Sequence, residues 1–283
     1  MFLVLGLCLA FTLQAQPKRE FRSAWLTTVW AIDWPKSHSQ STEAGQQKQQ
    51  NELRAIVDSL AEANMNAVFF QVRGFSDAMY KSKYEPWSQY LTGMRGGEPT
   101  YDPLQLLIEY AHSKGIEVHA WVNPYRYGTS SVYGKTPNDY HNTHPEWLVK
   151  CGDITILNPS MPEVRKQICC VIADMVENYD LDGVLFDDYF YQSGYELSYD
   201  NDLYQNSGTT LSRADWRREQ VNLMVRDVRD TIKATKPWVT FGIGPAGVAG
   251  SYNTSAPVYG VEPCPSPSGD WQYNGIYSDP LAW

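Results

Sequence analysis

Asp182-Gly183-Val184-Leu185-Phe186-Asp187-Asp188-Tyr189 is a short apolar run that ends in two carboxylates and a tyrosine. Its length and its acidic flanks fit a buried strand over residues 184–187. A helical pattern precedes it closely. That pattern opens with capping-box spacing between Ser160 and Glu163 and runs to about Tyr179. A strand fed so directly by a helix is the repeat unit of a parallel α/β sheet.

The same order recurs on both sides of this stretch. Residues 23–29, 67–73, 116–122 and 239–243 read as further strands. Residues 43–63 form a helix with Leu53, Ile56, Val57 and Leu60 on one face. Asp102 as N-cap and Pro103 at the first helical position open a second helix, with Leu104, Leu107, Ile108 and Ala111 as its stripe and Gly115 at its end. Residues 212–236 carry another stripe, Val221, Met224, Val225, Val228 and Ile232, and residues 273–283 look like the start of one more connecting segment. Long segments follow the strands, whereas turns after helices are short. That asymmetry predicts an α/β fold of the (β/α)8 TIM barrel type, whose elaborated loops build a site on one face. A doubly wound sheet would carry a glycine-rich phosphate loop after the first strand, and residues 27–35 have none. Five strands are legible where the barrel needs eight. The expectation is therefore a barrel domain over residues 16–283, truncated at its C-terminus.

The chain has 283 residues and a net charge of −9, which argues against a nucleic-acid partner. Its 10 Trp and 19 Tyr suit either a large core or flat platforms for sugar rings. Residues 1–15 are apolar and end in Leu13-Gln14-Ala15, as a secretory signal does, so secretion or export to the periplasm is expected. This run is too short to span a membrane comfortably, and no transmembrane span is expected in the mature chain. Cys151, Cys169, Cys170 and Cys264 show no CxxC spacing and read as buried free thiols. No metal and no cofactor is implied.

Strand alternation orients the candidate site residues. Phe69, Gln71 and Arg73 share one face of the second strand, and His119, Trp121 and Asn123 share one face of the third. On the fourth, Leu185, Asp187 and Tyr189 alternate with Val184, Phe186 and Asp188. With the apolar faces turned to helices, Asp187 points into the barrel mouth as a candidate nucleophile or base, with Asp188 beside it. The other reading of Asp187 is a structural carboxylate bonded to a buried arginine. Arg73 either binds substrate or forms an ion pair beneath the site. Asn123 and Tyr125, in the run Asn123-Pro124-Tyr125-Arg126, suit a sugar hydroxyl and a stacked ring, or else anchor a loop. Trp30, Asp33 and Trp34 follow the first strand and form either a subsite wall or loop packing. Glycoside hydrolysis also needs a second carboxyl group. Asp77, Glu262 and Asp270 are candidates for it, and a strand that this chain lacks is an equal alternative.

Several of these stretches carry a resemblance. The segments Glu20-Phe21-Arg22-Ser23-Ala24-Trp25, residues 70–78, Trp121-Val122-Asn123-Pro124-Tyr125-Arg126, Leu157-Asn158-Pro159, residues 182–189 and Asp270-Trp271-Gln272-Tyr273-Asn274 resemble glycosyl-hydrolase-like family ten of bacterial envelopes. The resemblance implies a (β/α)8 barrel active on glycans, with further barrel strands after a segment like residues 277–283. It assigns Asp187, Asp188 and Tyr189 to the family's Asp-Asp-Tyr, and matches Arg73 and Asn123. The implied function is an exported glycoside hydrolase cleaving O-glycosidic bonds of a polysaccharide, either peptidoglycan glycan strands or another polymer. Asp187 and Asp188 would be catalytic, and Arg73, Asn123, Tyr125, Arg126, Tyr189 and Trp34 would contact substrate. The alternative is a glycan-binding barrel without catalysis.

Overall fold

A computed structural model describes residues 20–129, 136–246, 260 and 271–283. The expected signal segment, Cys264, Glu262 and Asp270 lie outside the described residues.

In chain order the strands are β1 (Ser23–Leu26), β2 (Ala67–Arg73), β3 (Glu117–Val122), β4 (Arg126–Thr129), β5 (Leu148–Cys151), β6 (Ile154–Leu157), β7 (Gly183–Phe186) and β8 (Thr240–Ile243). The longer helices are α1 (Glu43–Glu62), α2 (Pro103–Ser113), α3 (Pro162–Asn178) and α4 (Arg213–Thr235). Strands β1, β2, β3, β7 and β8 form one sheet in that order, and every pair in it is parallel. Each crossover thus moves one step in the same direction. A doubly wound sheet would reverse direction at a switch point. The architecture is α/β, with the sequential parallel sheet of a barrel wall.

Helix starts follow their caps. The side chains of Thr42, Asp102 and Ser212 accept hydrogen bonds from the backbones of Gly45, Gln105 and Asp215. The capping-box reading at Ser160 is corrected. Helix α3 starts at Pro162, and the Ser160 hydroxyl meets the Tyr191 hydroxyl at 2.8 Å instead. The first strand ends at Leu26, short of Val29, because the Thr28 and Val29 N–H groups turn onto the Gln71 side-chain oxygen at 3.0 and 2.8 Å.

The two sheet faces differ as alternation predicts. Val68, Phe70, Val72, Val118, Ala120, Val122, Val184 and Phe186 are buried under the helices. The opposite face carries a layer of rings. Trp25 lies 4.7 Å from Trp121 and 5.1 Å from Phe69, and Phe69 lies 5.0 Å from His119. Gly183 sits opposite His119 in the β3–β7 register. A Cβ there would meet His119 Nδ1 at 2.2 Å and Thr240 Oγ1 at 2.4 Å. Gly183→Ala is therefore expected to cost about 1–3 kcal/mol. A shift of the urea midpoint to lower concentration checks this, and an unchanged midpoint contradicts it.

The segment after β3 is more ordered than the sequence suggested. Strands β4, β5 and β6 form a small antiparallel sheet in the order β4-β6-β5. A two-residue turn, Gly152-Asp153, joins β5 to β6, with Gly152 at φ 62°. Pairing of β4 with β6, and the bond from the Leu157 N–H to the Tyr125 carbonyl at 2.8 Å, tie down the chain that leaves β3. Cys151 is buried and Cys169 and Cys170 are half-buried, and all three are free thiols.

Candidate active site

Asp187 is the first residue after β7, at the C-terminal edge of the parallel sheet, and is 6% exposed. Three donors hold its carboxylate. Asn123 Nδ2 donates to Oδ1 at 3.0 Å, Trp121 Nε1 donates to Oδ2 at 3.1 Å, and the Tyr189 N–H donates to Oδ1 at 3.2 Å. Two of these come from β3 and its end, the strand beside β7, on the face that alternation assigns to Asp187. Burial pushes the Asp187 carboxyl up to about 6 from its ordinary 3.8. Trp121, the Tyr189 N–H, Asn123 and the Arg126 charge pull it back down. The result is a dry, oriented carboxylate that is still ionised at neutral pH and more basic than a solvated one.

Asn123 works in both directions. Its side-chain oxygen accepts from the backbone N–H groups of Tyr125 and Arg126 at 3.2 and 2.7 Å. The turn out of β3 is thereby fixed to the same side chain that orients Asp187. Arg126 then lies over the Tyr189 ring, its guanidinium 3.7 Å from the ring centroid. Among the described residues its Nε is buried without a hydrogen-bond partner. Tyr189 is 37% exposed, so this pair forms part of the open surface beside Asp187.

Arg73 is placed beneath this surface. Its guanidinium grips Glu85 with Nε to Oε2 at 2.7 Å and Nη2 to Oε1 at 2.6 Å, and both side chains are almost fully buried. The remaining Arg73 donors reach the Asn123 carbonyl and the Ser76 hydroxyl, which in turn donates to the Arg126 carbonyl. Arg73 therefore does not touch Asp187 and has no surface for substrate. It fixes the backbone that carries Asn123 and Arg126.

Two further expectations are corrected on burial. Trp34 is 0% exposed, and its indole donates to the Gln49 carbonyl of α1 at 3.0 Å. Tyr125 is 1% exposed and faces Arg165 and Cys169 of α3. Both rings lie on the helix side, where no sugar can reach them. Asp188 is half-buried, and among the described residues its side chain takes no hydrogen bond. Asp77 is tied to the Phe75 N–H at 2.9 Å and lies 3.9 Å from Arg95, in a buried cluster with Asp139. Trp121 as a donor to Asp187 was not anticipated, although its strand parity with Asn123 was the available signal. Glu85 had none, being one of three acids in a long loop, with Asp77 and Glu98.

A family model described as glycosyl hydrolase-like 10 matches residues 20–283. The chain belongs to that family. Among curated relatives, glycosyl hydrolase YngK of Bacillus subtilis (strain 168) is 39% identical over 251 residues, covering 84% of this chain and 47% of the relative. Glycosyl hydrolase DigH of Escherichia coli (strain K12) is 38% identical over 249 residues, covering 82% of this chain and 56% of the relative. The chain thus spans about half the length of the curated relatives it matches. Among solved structures, alpha-L-fucosidase isoenzyme 2 from Paenibacillus thiaminolyticus aligns with a TM-score of 0.56 at 15% identity, over 82% of this chain and 33% of that one. That likeness concerns the fold alone. No helix among the described residues is long and apolar enough to cross a membrane.

Proposed function

We propose that this glycosyl hydrolase-like 10 chain cleaves O-glycosidic bonds of a polysaccharide, either peptidoglycan glycan strands or another polymer, with Asp187 as nucleophile or base. The observation that carries the reading is the triply held Asp187 carboxylate at the end of a parallel strand. Family membership supports glycoside hydrolysis as the reaction class. The apolar segment over residues 1–15 supports action outside the cytoplasm, in the periplasm or beyond the cell.

In this reading the site works by holding charge ready. A retaining enzyme would use Asp187 to attack the anomeric carbon. An inverting one would use it to take a proton from water. Either role needs the ionised form, and three fixed donors aim its lone pairs without reorganisation during the reaction. Burial strengthens its attraction to positive charge developing on the sugar. Arg126 limits the rise in the Asp187 pKa, and Tyr189 offers an aromatic face beside the reacting bond. Glu262 and Asp270 are the candidates for the acid that protonates the leaving oxygen.

The pH dependence follows from the sign of the shift. A nucleophile or base gains activity as it loses its proton, so kcat should rise through pH of about 6 and level off above about 7. Activity falling through pH 6 would instead make Asp187 the acid. The reaction itself is tested by incubating the protein with peptidoglycan, chitin and xylan and assaying new reducing ends. Release from at least one polymer is expected. Binding without release would favour the non-catalytic glycan-binding alternative.

A further inference from the structure

We propose that Trp30 is a stacking platform for a sugar ring of the bound chain, at a subsite remote from Asp187. The inference rests on the reading of this protein as one that binds glycans, and it is independent of the role of Asp187. Trp30 is 57% exposed. Exposure alone would mean little, since single apolar side chains on a surface are common. What sets Trp30 apart is its backbone and its supports. Trp30 (φ 54°) and Ala31 (φ 52°) are consecutive left-handed residues, neither of them glycine. Such conformations persist only where the surroundings impose them.

Here the surroundings do so. The buried Gln71 side-chain oxygen accepts from the Thr28 and Val29 N–H groups, and the Thr28 hydroxyl donates to the Gln71 carbonyl at 2.8 Å. Asp33 accepts from the Thr27 N–H at 2.9 Å, and the Ala31 N–H returns to the Thr28 carbonyl at 2.9 Å. All these bonds serve a turn whose outcome is an indole facing solvent. Phe75 braces that indole edge-on, with ring centroids 5.8 Å apart at 67°, which leaves a broad face open. Trp34, four residues on, is fully buried by contrast. Trp238 is more exposed, at 68%, but it precedes β8 at the opposite edge of the sheet and has no left-handed backbone.

The chemistry of the ligand follows from the surface. A flat apolar ring with one N–H at its edge suits the C–H face of a pyranose flanked by hydroxyl groups. Its location gives the length. Trp30 follows β1, and β2 and β3 lie between β1 and β7. Three strand spacings amount to roughly 14 Å, more than one sugar ring spans. On this proposal the ring on Trp30 sits at a different subsite from the one cut at Asp187, and the fitting ligand is a chain of several sugars.

Binding of wild type, Trp30→Ala, Trp30→Phe and Asp187→Asn to insoluble peptidoglycan, chitin and xylan tests this by co-sedimentation. Titration with the hexamer and dimer of N-acetylglucosamine adds the dependence on length. Trp30→Ala is expected to bind the polymer that wild type binds about tenfold more weakly. Trp30→Phe should stay within about threefold, since a ring remains. Circular dichroism and the urea midpoint should match wild type in both. The proposal is overturned if Trp30→Ala binds as wild type does, if wild type binds none of the three polymers, or if the dimer loses as much as the hexamer. Unchanged binding by Trp30→Ala together with cleavage lost in Asp187→Asn would remove the platform and leave the catalytic reading standing. The reverse pattern would remove the catalytic reading alone.

Discussion

Replacing Asp187 with asparagine is expected to lower glycan cleavage by at least ~10^3-fold while making the folded protein more stable at pH 7. Loss of the reacting carboxylate accounts for the rate, because general acid–base or nucleophilic groups contribute on the order of 10^2 to 10^4 and no other described carboxylate is held in its place. Burial accounts for the stability. A rise from 3.8 to about 6 means that keeping Asp187 charged inside the fold costs roughly 3 kcal/mol. Asparagine removes that cost but turns an amide donor towards the Asn123 and Trp121 donors, so a net gain of roughly 1–2 kcal/mol remains. The sign fixes the pH window. Below pH 3.8 the carboxyl is protonated in both folded and unfolded chains, and burial carries no charge penalty. Between 3.8 and about 6 the unfolded chain ionises first, and wild type loses stability relative to the variant. Above about 6 the difference stays level. Urea denaturation of both proteins at pH 4 and pH 7 measures it. A variant less stable than wild type at pH 7 would mean that Asp187 is a structural anchor.

The second large effect concerns stability beneath the site. Arg73→Met should destabilise the protein by about 3–5 kcal/mol. It leaves the Glu85 carboxylate, whose side chain is 0% exposed, with the Tyr140 hydroxyl at 3.1 Å as its remaining described partner. The paired change Arg73→Met with Glu85→Leu should restore much of that loss, because no buried charge is left unpaired. Activity should stay low in the double variant, since the Asn123 carbonyl and Ser76 still lack their donor. Denaturation curves and cleavage rates on the same preparations separate the two effects. Equal rates in wild type and the stable double variant would rule out the positioning role.

Much of the sheet was readable from alternation. Arg73, Asn123 and Asp187 were assigned to the inner faces of three strands; the β3–β7 register keeps Trp121 beside Leu185 and so Asn123 in step with Asp187, whereas a register shift between Gln71 and Arg73 pairs Arg73 with the helix-side Val122. The same reasoning could not tell strand-end residues that face the mouth from those that turn under it. Arg73 is at a strand end, where the register shift after Gln71 breaks the alternation, and an acid twelve residues on holds it in the core. Beyond a strand end, alternation no longer applies. Trp34 and Tyr125 sit in such segments, and their rings turned to the helix layer because that is where apolar surface was available. Strands β4 to β6 were missed for a related reason. Each has four residues, too few for a period to show, and only the Gly152-Asp153 turn between apolar runs marked a hairpin. The strain at Trp30 has no sequence signal, since neither it nor Ala31 is a residue that favours φ above zero.

The claim that Asp187 drives cleavage of a glycosidic bond is tested most directly by product analysis in heavy-oxygen water. Wild type and Asp187→Asn would be incubated side by side with peptidoglycan, chitin and xylan, and the soluble products weighed by mass spectrometry. Wild type is predicted to release fragments carrying one heavy oxygen at the new reducing end, and the variant none. Fragments of the same kind and amount from Asp187→Asn, or no fragments from either protein, would contradict it.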